Sequence, residues 1–474
     1  MNPKNLKEIQ FRIKNNELTV EKLVSGYLEA IDDSKALNIY IEVYKDEALN
    51  LARSLDIKIN EGQEVGALFG CVISVKDNIV QKDKHISAAS KILEGFQSPY
   101  TATALQKLID EDAIVIGRTN CDEFGMGSSN ENSVYGPTKN GADPKRTPGG
   151  SSGGAAVSVQ MNTCLVAIGS DTGGSVRQPA AFCGIYGLKP SYGRISRYGL
   201  IAYASSFDQI GILAHNPDDV GLVLEKMAGK DRMDATSSAE EVKPYNLNDI
   251  VSNPSIAYFP QMINHPKLGK DIKDAILNKL DELKQNGATV KAMDFQYIDY
   301  LVPTYYVLTT AEASTNLSRY DGVRYGYRSS NSDTLEDMYV NSRTEGFGKE
   351  VKRRIMLGTY VLSEGYFDAY FTKAQQVRRL IKEELDKVLD QVDFIILPTS
   401  TDIPWHIGKF SGDPVEVYLS DVFTVLANLA GLPAINIPAG TNSEGIPLGI
   451  QIITKKYDEN KLLAFCKRLE GYYY

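Results

Sequence analysis

Short apolar runs that end in glycine or polar residues recur from residue 68 onward, and no other feature of the sequence constrains the fold as strongly. Examples are CVI at 71–73, IVI at 114–116 and LVAI at 165–168. A segment with helical spacing of its apolar residues, 105–109, lies between the first two. Strands that alternate with helices in this way build a parallel or mixed sheet with helices packed against it. The sequence therefore predicts the α/β class, with a central mixed β-sheet covered by helices on both faces.

The same alternation extends toward both ends of the chain. Residues 394–398 (FIILP) are strand-like, and residues 20–31 place their apolar side chains on one helical stripe behind Thr19, a suitable N-cap. No internal repeat and no linker rich in Pro, Gly and Ser divides the 474 residues. We therefore expect one large domain over 1–474, which opens with a helical segment over about 1–60.

Net charge and cysteine spacing argue against several classes of protein. The chain carries 51 Lys and Arg against 60 Asp and Glu, a net charge of −9, and its basic residues are scattered. Because nucleic-acid backbones are bound by clustered basic surfaces, this chain alone is not expected to bind one. The five cysteines form no CxxC pair, which argues against a disulfide framework and against a zinc site.

Targeting and cofactor signals are lacking from the sequence. The first residues, MNPKNLKEIQF, contain no apolar signal core, and no apolar run long enough to span a membrane follows. We therefore expect a cytoplasmic protein without a membrane anchor. No metal-ligand cluster and no GxxxxGK[ST] phosphate-binding loop occurs, so the chain is expected to bind neither a metal nor ATP.

Two segments rich in glycine and serine interrupt the apolar runs. TPGGSSGG occupies 147–154, and GSDTGGSVRQP occupies 169–179. A flexible linker would continue into polar sequence, whereas regular apolar segments flank both of these. The glycines at 173 and 174 allow a sharp turn whose backbone N–H groups can bind an anion or a developing oxyanion. The two segments therefore indicate a site rather than a linker.

A serine nucleophile in such a turn needs a base to take its proton. The chain has four histidines, and none lies in a recognisable nucleophile–base context. A buried lysine can serve instead, because desolvation lowers the lysine pKa well below its usual value of about 10.4. Lys76 is the best candidate, since it ends the apolar run CVISVK at 71–76.

SVKDN at 74–78, TPGGSSGG and GSDTGGSVRQPAAFCGIYGLKPSYGR at 169–194 together resemble the amidase signature family. Lys76 precedes Ser151 by 75 residues, and Ser151 precedes Ser175 by 24, in agreement with that family. The resemblance implies a Ser–cis-Ser–Lys triad. Ser175 would be the acylated nucleophile, Ser151 the proton relay on a cis peptide bond, and Lys76 the base.

The same resemblance assigns supporting residues within a signature core of about 68–215. Ser152 would be a hydrogen-bonding neighbour of the triad and part of the substrate-binding site. The oxyanion hole would be formed by backbone N–H groups of Thr172, Gly173, Gly174 and Ser175.

Stretches in and around that core resemble one branch of the family, the glutaminase (A) subunits of tRNA-dependent amidotransferases. They are LEGFQSPY (93–100), CDEFGMGSSNE (121–131), SYGRISRYGLIAYASSFDQIG (191–211), LSRYDGVRYGYR (317–328), TEGFGKEVKRRIMLGTYVLSEGYFDAY (344–370) and NLAGLPAINIPAG (428–440). The resemblance implies that the chain hydrolyses glutamine and passes ammonia to a B subunit, with a small C subunit completing a heterotrimer. The B subunit would bind the aminoacyl-tRNA and use ATP and Mg²⁺ to amidate Glu-tRNA(Gln), Asp-tRNA(Asn) or both.

Free glutamine is a zwitterion, so its site needs a cation for the carboxylate and an anion for the ammonium. The resemblance assigns these roles to Arg354 in KRRI and Asp421 in YLSDVFT, with Tyr305 in PTYY lining the pocket. Without the resemblance, Arg354 would be interpreted as a solvated residue of a basic run. Asp421 would be interpreted as an ordinary polar residue of a helix.

Two other functions remain open on the sequence. A stand-alone amidase that acts on a small or acyl amide would carry the same triad and differ in the residues that bind the substrate. A binding protein without catalysis could use the glycine-rich loops to hold an anion. The joint presence of Lys76, Ser151 and Ser175 at the family's spacing disfavours this last hypothesis.

Overall fold

The computed structural model describes residues 3–248, 251–410 and 414–470. Eleven strands occur within these ranges, and all of them belong to one sheet. They are β1 (Tyr40–Val43), β2 (Val72–Lys76), β3 (Ile114–Thr119), β4 (Val166–Asp171), β5 (Tyr186–Lys189), β6 (Gln209–Ala214), β7 (Ser255–Tyr258), β8 (Thr289–Ala292), β9 (Phe394–Pro398), β10 (Ala434–Thr441) and β11 (Pro447–Ile453). Their order across the sheet is β1-β3-β2-β4-β6-β5-β10-β11-β9-β7-β8.

The sheet is mixed, as the alternation of strands and helices predicts. β2 is parallel to β3 and β4, and β7 is parallel to β8 and β9. The pairs that connect these two groups, from β4 through β6, β5, β10 and β11 to β9, are antiparallel. Because β2 and β4 are parallel neighbours, their last residues, Lys76 and Asp171, lie at the same edge of the sheet. In open α/β sheets, this carboxyl edge is where ligands bind.

Helices fill most of the chain between the strands. They are α1 (Leu6–Lys14), α2 (Val20–Asp33), α3 (Lys45–Asn60), α4 (Thr103–Asp110), α5 (Gly153–Gln160), α6 (Arg177–Cys183), α7 (Pro217–Met227), α8 (Pro260–Ile263), α9 (Lys270–Gln285), α10 (Ile298–Asn316), α11 (Leu335–Gly346), α12 (Lys349–Val361), α13 (Lys373–Leu389), α14 (Pro414–Leu419), α15 (Val425–Ala430) and α16 (Glu459–Glu470). The predicted N-cap is confirmed, since the Thr19 side chain accepts a hydrogen bond from the Lys22 N–H. Among the described residues, no helix has the length and apolar character needed to cross a membrane.

Helices cover both faces of the sheet, and β9 shows this most directly. Successive side chains of a strand point to opposite faces. Phe394 and Ile396 belong to a hydrophobic core that includes residues of α9 and α16, whereas Ile395 and Leu397 belong to a second core that includes residues of α10 and α13. The predicted α/β arrangement, with a central mixed sheet between helical layers, is therefore confirmed.

A fully buried ion pair joins the first half of the sheet to the second. Arg177, the first residue of α6, contacts the Asp171 carboxylate through Nε and Nη2 at 3.1 and 3.0 Å. It also donates to the Thr424 carbonyl and the Gln451 side chain at 2.9 Å, and to the Asn428 side chain at 2.6 Å. Burial opposes the ionisation of Asp171, but the Arg177 guanidinium holds the pKa of this carboxyl below its usual range.

Replacing Arg177 with Met should destabilise the fold, because it leaves the Asp171 carboxylate buried without a partner. Loss of one member of a buried pair costs about 3–5 kcal/mol, and we expect a decrease of that size in the free energy of unfolding of Arg177→Met. Urea unfolding of the full chain, followed by circular dichroism at neutral pH, measures it. The pair stabilises the folded state above the unfolded-state Asp pKa of about 3.9, so the difference from wild type should narrow as the pH falls below that value.

The matched control is Arg379→Met on α13. Arg379 forms an exposed pair with Glu383 at 2.7 Å, and exposed pairs contribute little because water and salt screen them. If Arg177→Met and Arg379→Met unfold at the same urea concentration, the buried pair does not have this structural role.

Candidate active site

Lys76 is buried at the carboxyl end of β2 and is surrounded by hydroxyl groups. Its Nζ lies 2.7 Å from Ser151 Oγ and 2.9 Å from both Ser152 Oγ and Ser170 Oγ. Ser170 belongs to β4, the parallel neighbour of β2, and the other two serines directly precede α5. Burial lowers the Lys76 pKa to about 8, which makes the neutral amine accessible near neutral pH.

The segment 147–154 passes from a loop into α5 at its two serines. The Gly150–Ser151 peptide bond is cis, as the resemblance implies. The Ser152 N–H donates to the Ser175 carbonyl at 3.1 Å, which connects this segment to the turn that follows β4. Within the described part of the chain, no hydrogen bond joins the hydroxyl groups of Ser151 and Ser175.

The turn from Thr172 to Ser175 offers fewer free N–H groups than the sequence analysis expects. Gly174 has a φ of +126°, a conformation that L side chains rarely adopt, and its N–H donates to Asp171 Oδ1 at 2.9 Å. The N–H groups of Thr172, Gly173 and Ser175 have no hydrogen-bond partner among the described residues. The Gly174 N–H thus already donates to Asp171, and its place in the oxyanion hole stays a prediction.

Tyr305, on α10, is buried directly against this turn. A side chain on Gly173 would collide with the Tyr305 hydroxyl, so only glycine allows the turn and α10 to approach so closely. On the other side, the Thr424 hydroxyl donates to the Gly173 carbonyl at 2.6 Å. These contacts place α10 and the chain just before α15 beside the turn that carries Ser175.

Arg354 lies on α12 and is buried, although it ends a basic run that is typical of a solvated face. Only 3% of it is exposed. Its Nε donates to Glu350 at 2.8 Å and its Nη1 to the Tyr203 hydroxyl at 2.9 Å. The rings of Tyr203, Tyr306 and Tyr418 have their centroids 5.3–5.5 Å from the guanidinium carbon, a distance at which ring faces stabilise a cation.

Asp421 is buried on the other side of Tyr306. Its carboxylate accepts hydrogen bonds from the Ser128 hydroxyl and the Tyr306 hydroxyl, at 2.9 Å in each case. Burial raises the Asp421 pKa to about 7, against the effect of these hydrogen bonds. The cation and the anion expected for glutamine, Arg354 and Asp421, thus both contact one tyrosine.

Several residues that complete the site were not found by sequence reasoning. They are Ser128, Ser170, Tyr203, Tyr306, Glu350 and Tyr418. All six lie within the stretches that carry the family resemblance, such as GSDTGGSVRQP for Ser170 and YLSDVFT for Tyr418, but nothing in those stretches distinguishes them from the neighbouring polar and aromatic residues. A cavity of about 320 Å³ opens beside Arg354, Glu350 and Tyr418. Over the described ranges, no group of three or more His, Cys, Asp and Glu side chains is arranged to hold a metal ion.

Known proteins resemble this chain over nearly its whole length. The sequence pattern that defines the amidase family matches residues 22–463. The A subunit of glutamyl-tRNA(Gln) amidotransferase from Chlorobaculum parvum is 51% identical over 471 residues, which cover 98% of this chain and 97% of that protein.

Solved structures share the fold as well as the sequence. The glutamyl-tRNA(Gln) amidotransferase A subunit from Thermotoga maritima superposes with a TM-score of 0.81 at 36% identity, covering 99% of this chain and 96% of that one. The peptide amidase from Stenotrophomonas maltophilia superposes with a TM-score of 0.82 at 27% identity, with the same coverage of both chains. On its sequence and its fold, the chain belongs to the amidase family.

Proposed function

We propose that this chain is the glutaminase subunit of a tRNA-dependent amidotransferase, with Ser175 as its nucleophile. The observation that carries the proposal is the buried Lys76 amine, with its pKa lowered to about 8, at 2.7 Å from Ser151 Oγ. Such an amine can take a proton from a serine at neutral pH. The similarity to two amidotransferase A subunits supports the reaction that we assign to it.

In the proposed reaction, Ser175 Oγ attacks the side-chain amide carbon of glutamine while its proton passes through Ser151 to Lys76. The free N–H groups of Thr172, Gly173 and Ser175 would stabilise the oxyanion that forms. Lys76 then returns the proton through Ser151 to the amide nitrogen, and ammonia leaves as the glutamyl ester forms on Ser175. Water hydrolyses the ester by the same relay, releasing glutamate and restoring the serine.

The relay needs a contact between the hydroxyl groups of Ser175 and Ser151, which are not hydrogen-bonded to each other in the described part of the chain. Catalytic hydrogen bonds are often long or misaligned without substrate and tighten in the complex. We expect this contact to form when glutamine binds. Ser152, at 2.9 Å from Lys76, would hold the amine in place while this happens.

Glutamine would be recognised through its two ionic groups. Arg354 would pair with the carboxylate, and its Nη2 has no hydrogen-bond partner among the described residues. Asp421 would pair with the ammonium, and Tyr305 would line the pocket against Gly173. Because all of these groups are buried, each pair would form away from competing water.

The ammonia would be used by partner subunits. We assign to a B subunit the binding of aminoacyl-tRNA and its activation with ATP and Mg²⁺, and to a C subunit the completion of a heterotrimer in the cytoplasm. The net charge of −9 agrees with this division, because an acidic chain is poorly suited to hold tRNA itself. Glu-tRNA(Gln) is the proposed acceptor, from the names of the relatives, and Asp-tRNA(Asn) is the further candidate.

The alternative is a stand-alone amidase with the same triad. Its specific support is the fold shared with the peptide amidase of Stenotrophomonas maltophilia. The two functions differ in what the Arg354 and Asp421 pair does, since a neutral amide substrate has no use for it.

Removal of any triad member should abolish most glutaminase activity. Ser175→Ala, Lys76→Ala and Ser151→Ala are each expected to lower kcat by about a thousandfold or more, and the double variants with Ser175→Ala should lose little further activity, because the three residues act as a unit. Ammonia release from glutamine, with the full chain in its native assembly, measures this.

Ser74→Ala is the matched control for these variants. Ser74 is a buried serine of β2 that is hydrogen-bonded to Ser158 at 2.8 Å, outside the Lys76 cluster. Its removal should leave kcat unchanged. Losses that multiply in full between Ser151→Ala and Ser175→Ala would rule out a shared relay.

The pKa values of Lys76 and Asp421 predict two separable pH effects. kcat should rise as the pH increases through about 8, because neutral Lys76 is the base. KM for glutamine should rise as the pH falls below about 7, because protonated Asp421 no longer attracts the ammonium group. Steady-state kinetics between about pH 6 and 9 give both profiles. Asp421→Asn should have a high KM at every pH and retain the kcat profile; loss of that profile in Asp421→Asn would contradict the assignment.

Arg354→Met separates the two candidate functions. Loss of the partner of a buried carboxylate costs about 2–5 kcal/mol or more, so KM for glutamine should rise by about a hundredfold or more. Hydrolysis of propionamide, which has no carboxylate, should not change. Arg353→Met is the control, since Arg353 pairs with the same Glu350 and is more exposed. Equal losses on both amides in Arg354→Met, or propionamide being the better substrate of wild type, would favour the stand-alone amidase.

A further inference from the structure

Asp208 is a buried carboxylate just before β6 that has no part in the reaction described so far. Its Oδ1 accepts a hydrogen bond from the Thr172 hydroxyl at 2.7 Å. Its Oδ2 accepts from the backbone N–H groups of Tyr203 and Ala204 at 2.9 and 3.0 Å. Burial raises its pKa to about 6, so the carboxylate is ionised at slightly alkaline pH and can accept at both oxygens.

The two oxygens of Asp208 hold residues at opposite ends of the proposed substrate site. Thr172 begins the turn whose free N–H groups are proposed to bind the oxyanion. Tyr203 accepts a hydrogen bond from Arg354 Nη1 at 2.9 Å and lies 3.0 Å from the Thr309 hydroxyl. The Asp208 side chain therefore contacts both Thr172, in the turn that carries Ser175, and Tyr203, whose hydroxyl accepts from Arg354.

We propose that Asp208 is a positioning residue that fixes the distance between the oxyanion turn and Arg354. Oδ1 orients the Thr172–Ser175 turn, and Oδ2 orients Tyr203 and, through its hydroxyl, the Arg354 guanidinium. The inference rests on the proposed function, since it concerns a substrate with a carboxylate at one end and a scissile amide at the other.

Asp208→Asn tests this because asparagine has the same shape but only one oxygen that accepts. The Tyr203 and Ala204 N–H groups can only donate, so they keep the amide oxygen, and the Thr172 hydroxyl loses its acceptor. Asp208→Asn should therefore lower kcat by about 10–100-fold, somewhat less than loss of an oxyanion donor itself. Asp208→Ala, which removes both oxygens, should also raise KM for glutamine. Assays at about pH 8 keep the wild-type carboxylate ionised.

Two single variants divide the effect of Asp208 into its parts. Thr172→Val removes the hydroxyl on the Oδ1 side and should lower kcat while KM stays unchanged. Tyr203→Phe removes the hydroxyl that accepts a hydrogen bond from Arg354. This variant should raise KM while kcat stays unchanged. In the double variant Asp208→Asn with Thr172→Val, kcat should be no lower than in Asp208→Asn alone, because the same contact is already lost.

Asp219→Asn is the matched control. Asp219 is also a buried aspartate whose pKa burial raises to about 6, and it accepts backbone and side-chain hydrogen bonds from Leu6 and Asn216 on another part of the fold. This variant should lower the unfolding midpoint and leave kcat and KM unchanged.

Labelling of Ser175 with a fluorophosphonate gives a readout that does not depend on glutamine. The serine oxygen bonds to phosphorus, its proton passes to Lys76, and fluoride leaves, while negative charge builds in the transition state on the phosphoryl oxygen, where the oxyanion would form. Labelling should be slower in Asp208→Asn and Thr172→Val and unchanged in Tyr203→Phe and Asp219→Asn, as measured by mass spectrometry of the full chain.

The outcomes separate the inference from the proposed function. An Asp208→Asn variant that loses stability like Asp219→Asn, with unchanged kcat, KM and labelling, would overturn the positioning role. If the kcat losses of Asp208→Asn and Thr172→Val multiply in full in the double variant, Asp208 does not act on kcat through Thr172, and that part of the inference is wrong. If the labelling pattern holds but wild type releases no ammonia from glutamine, the role of Asp208 at the oxyanion turn stands and the proposed substrate is wrong.

Discussion

The buried pair of Asp171 and Arg177 is the constraint on which the site depends. The Asp171 carboxylate accepts hydrogen bonds from the Gly174 and Val176 N–H groups and so fixes the backbone of the turn that carries Ser175. Arg177 extends the same network to α15 and β11. Because a charge buried away from water has no alternative partner, the shape of the turn and the packing of the C-terminal strands against the signature core are set together.

Three other titratable groups of the site are buried without a full ionic partner. Burial shifts the pKa of each toward the uncharged form. It lowers the pKa of Lys76 to about 8 and raises the pKa of Asp421 to about 7 and that of Asp208 to about 6. Asp171 and Glu350 differ, because Arg177 and Arg354 neutralise them directly and hold the pKa of each carboxyl below its usual value. The fold thus holds these two carboxylates charged, while it keeps the proposed base and the proposed ammonium ligand near their titration points at neutral pH.

What the sequence predicts well is local. The strand FIILP occupies 394–398 in the structure as expected, and Lys76 ends its strand with its amine against Ser151, because apolar runs and glycine turns act over a few residues. The Asp171 acceptor of the Gly174 N–H is not predictable in this way, because it depends on how the turn closes. The burial of Arg354 could not be foreseen without the resemblance, since it is created by tyrosines such as Tyr203, which is 151 residues away in the chain.

The site has two functional parts, one formed by residues close together in the sequence and one formed by residues from distant parts of the chain. The groups assigned to the chemistry lie between Lys76 and Ser175 and are placed by the carboxyl ends of two parallel strands. The groups assigned to recognition, Arg354, Asp421 and Tyr306, come from α10, α12 and the chain after α14, which pack onto that edge from outside the signature core. Changes in these outer elements can therefore alter which amide is bound without disturbing the triad. A peptide amidase can accordingly share the fold over 99% of this chain at 27% identity. The choice of glutamine must be sought in the cation and anion on either side of Tyr306, because the buried lysine and serines would serve any amide placed against them.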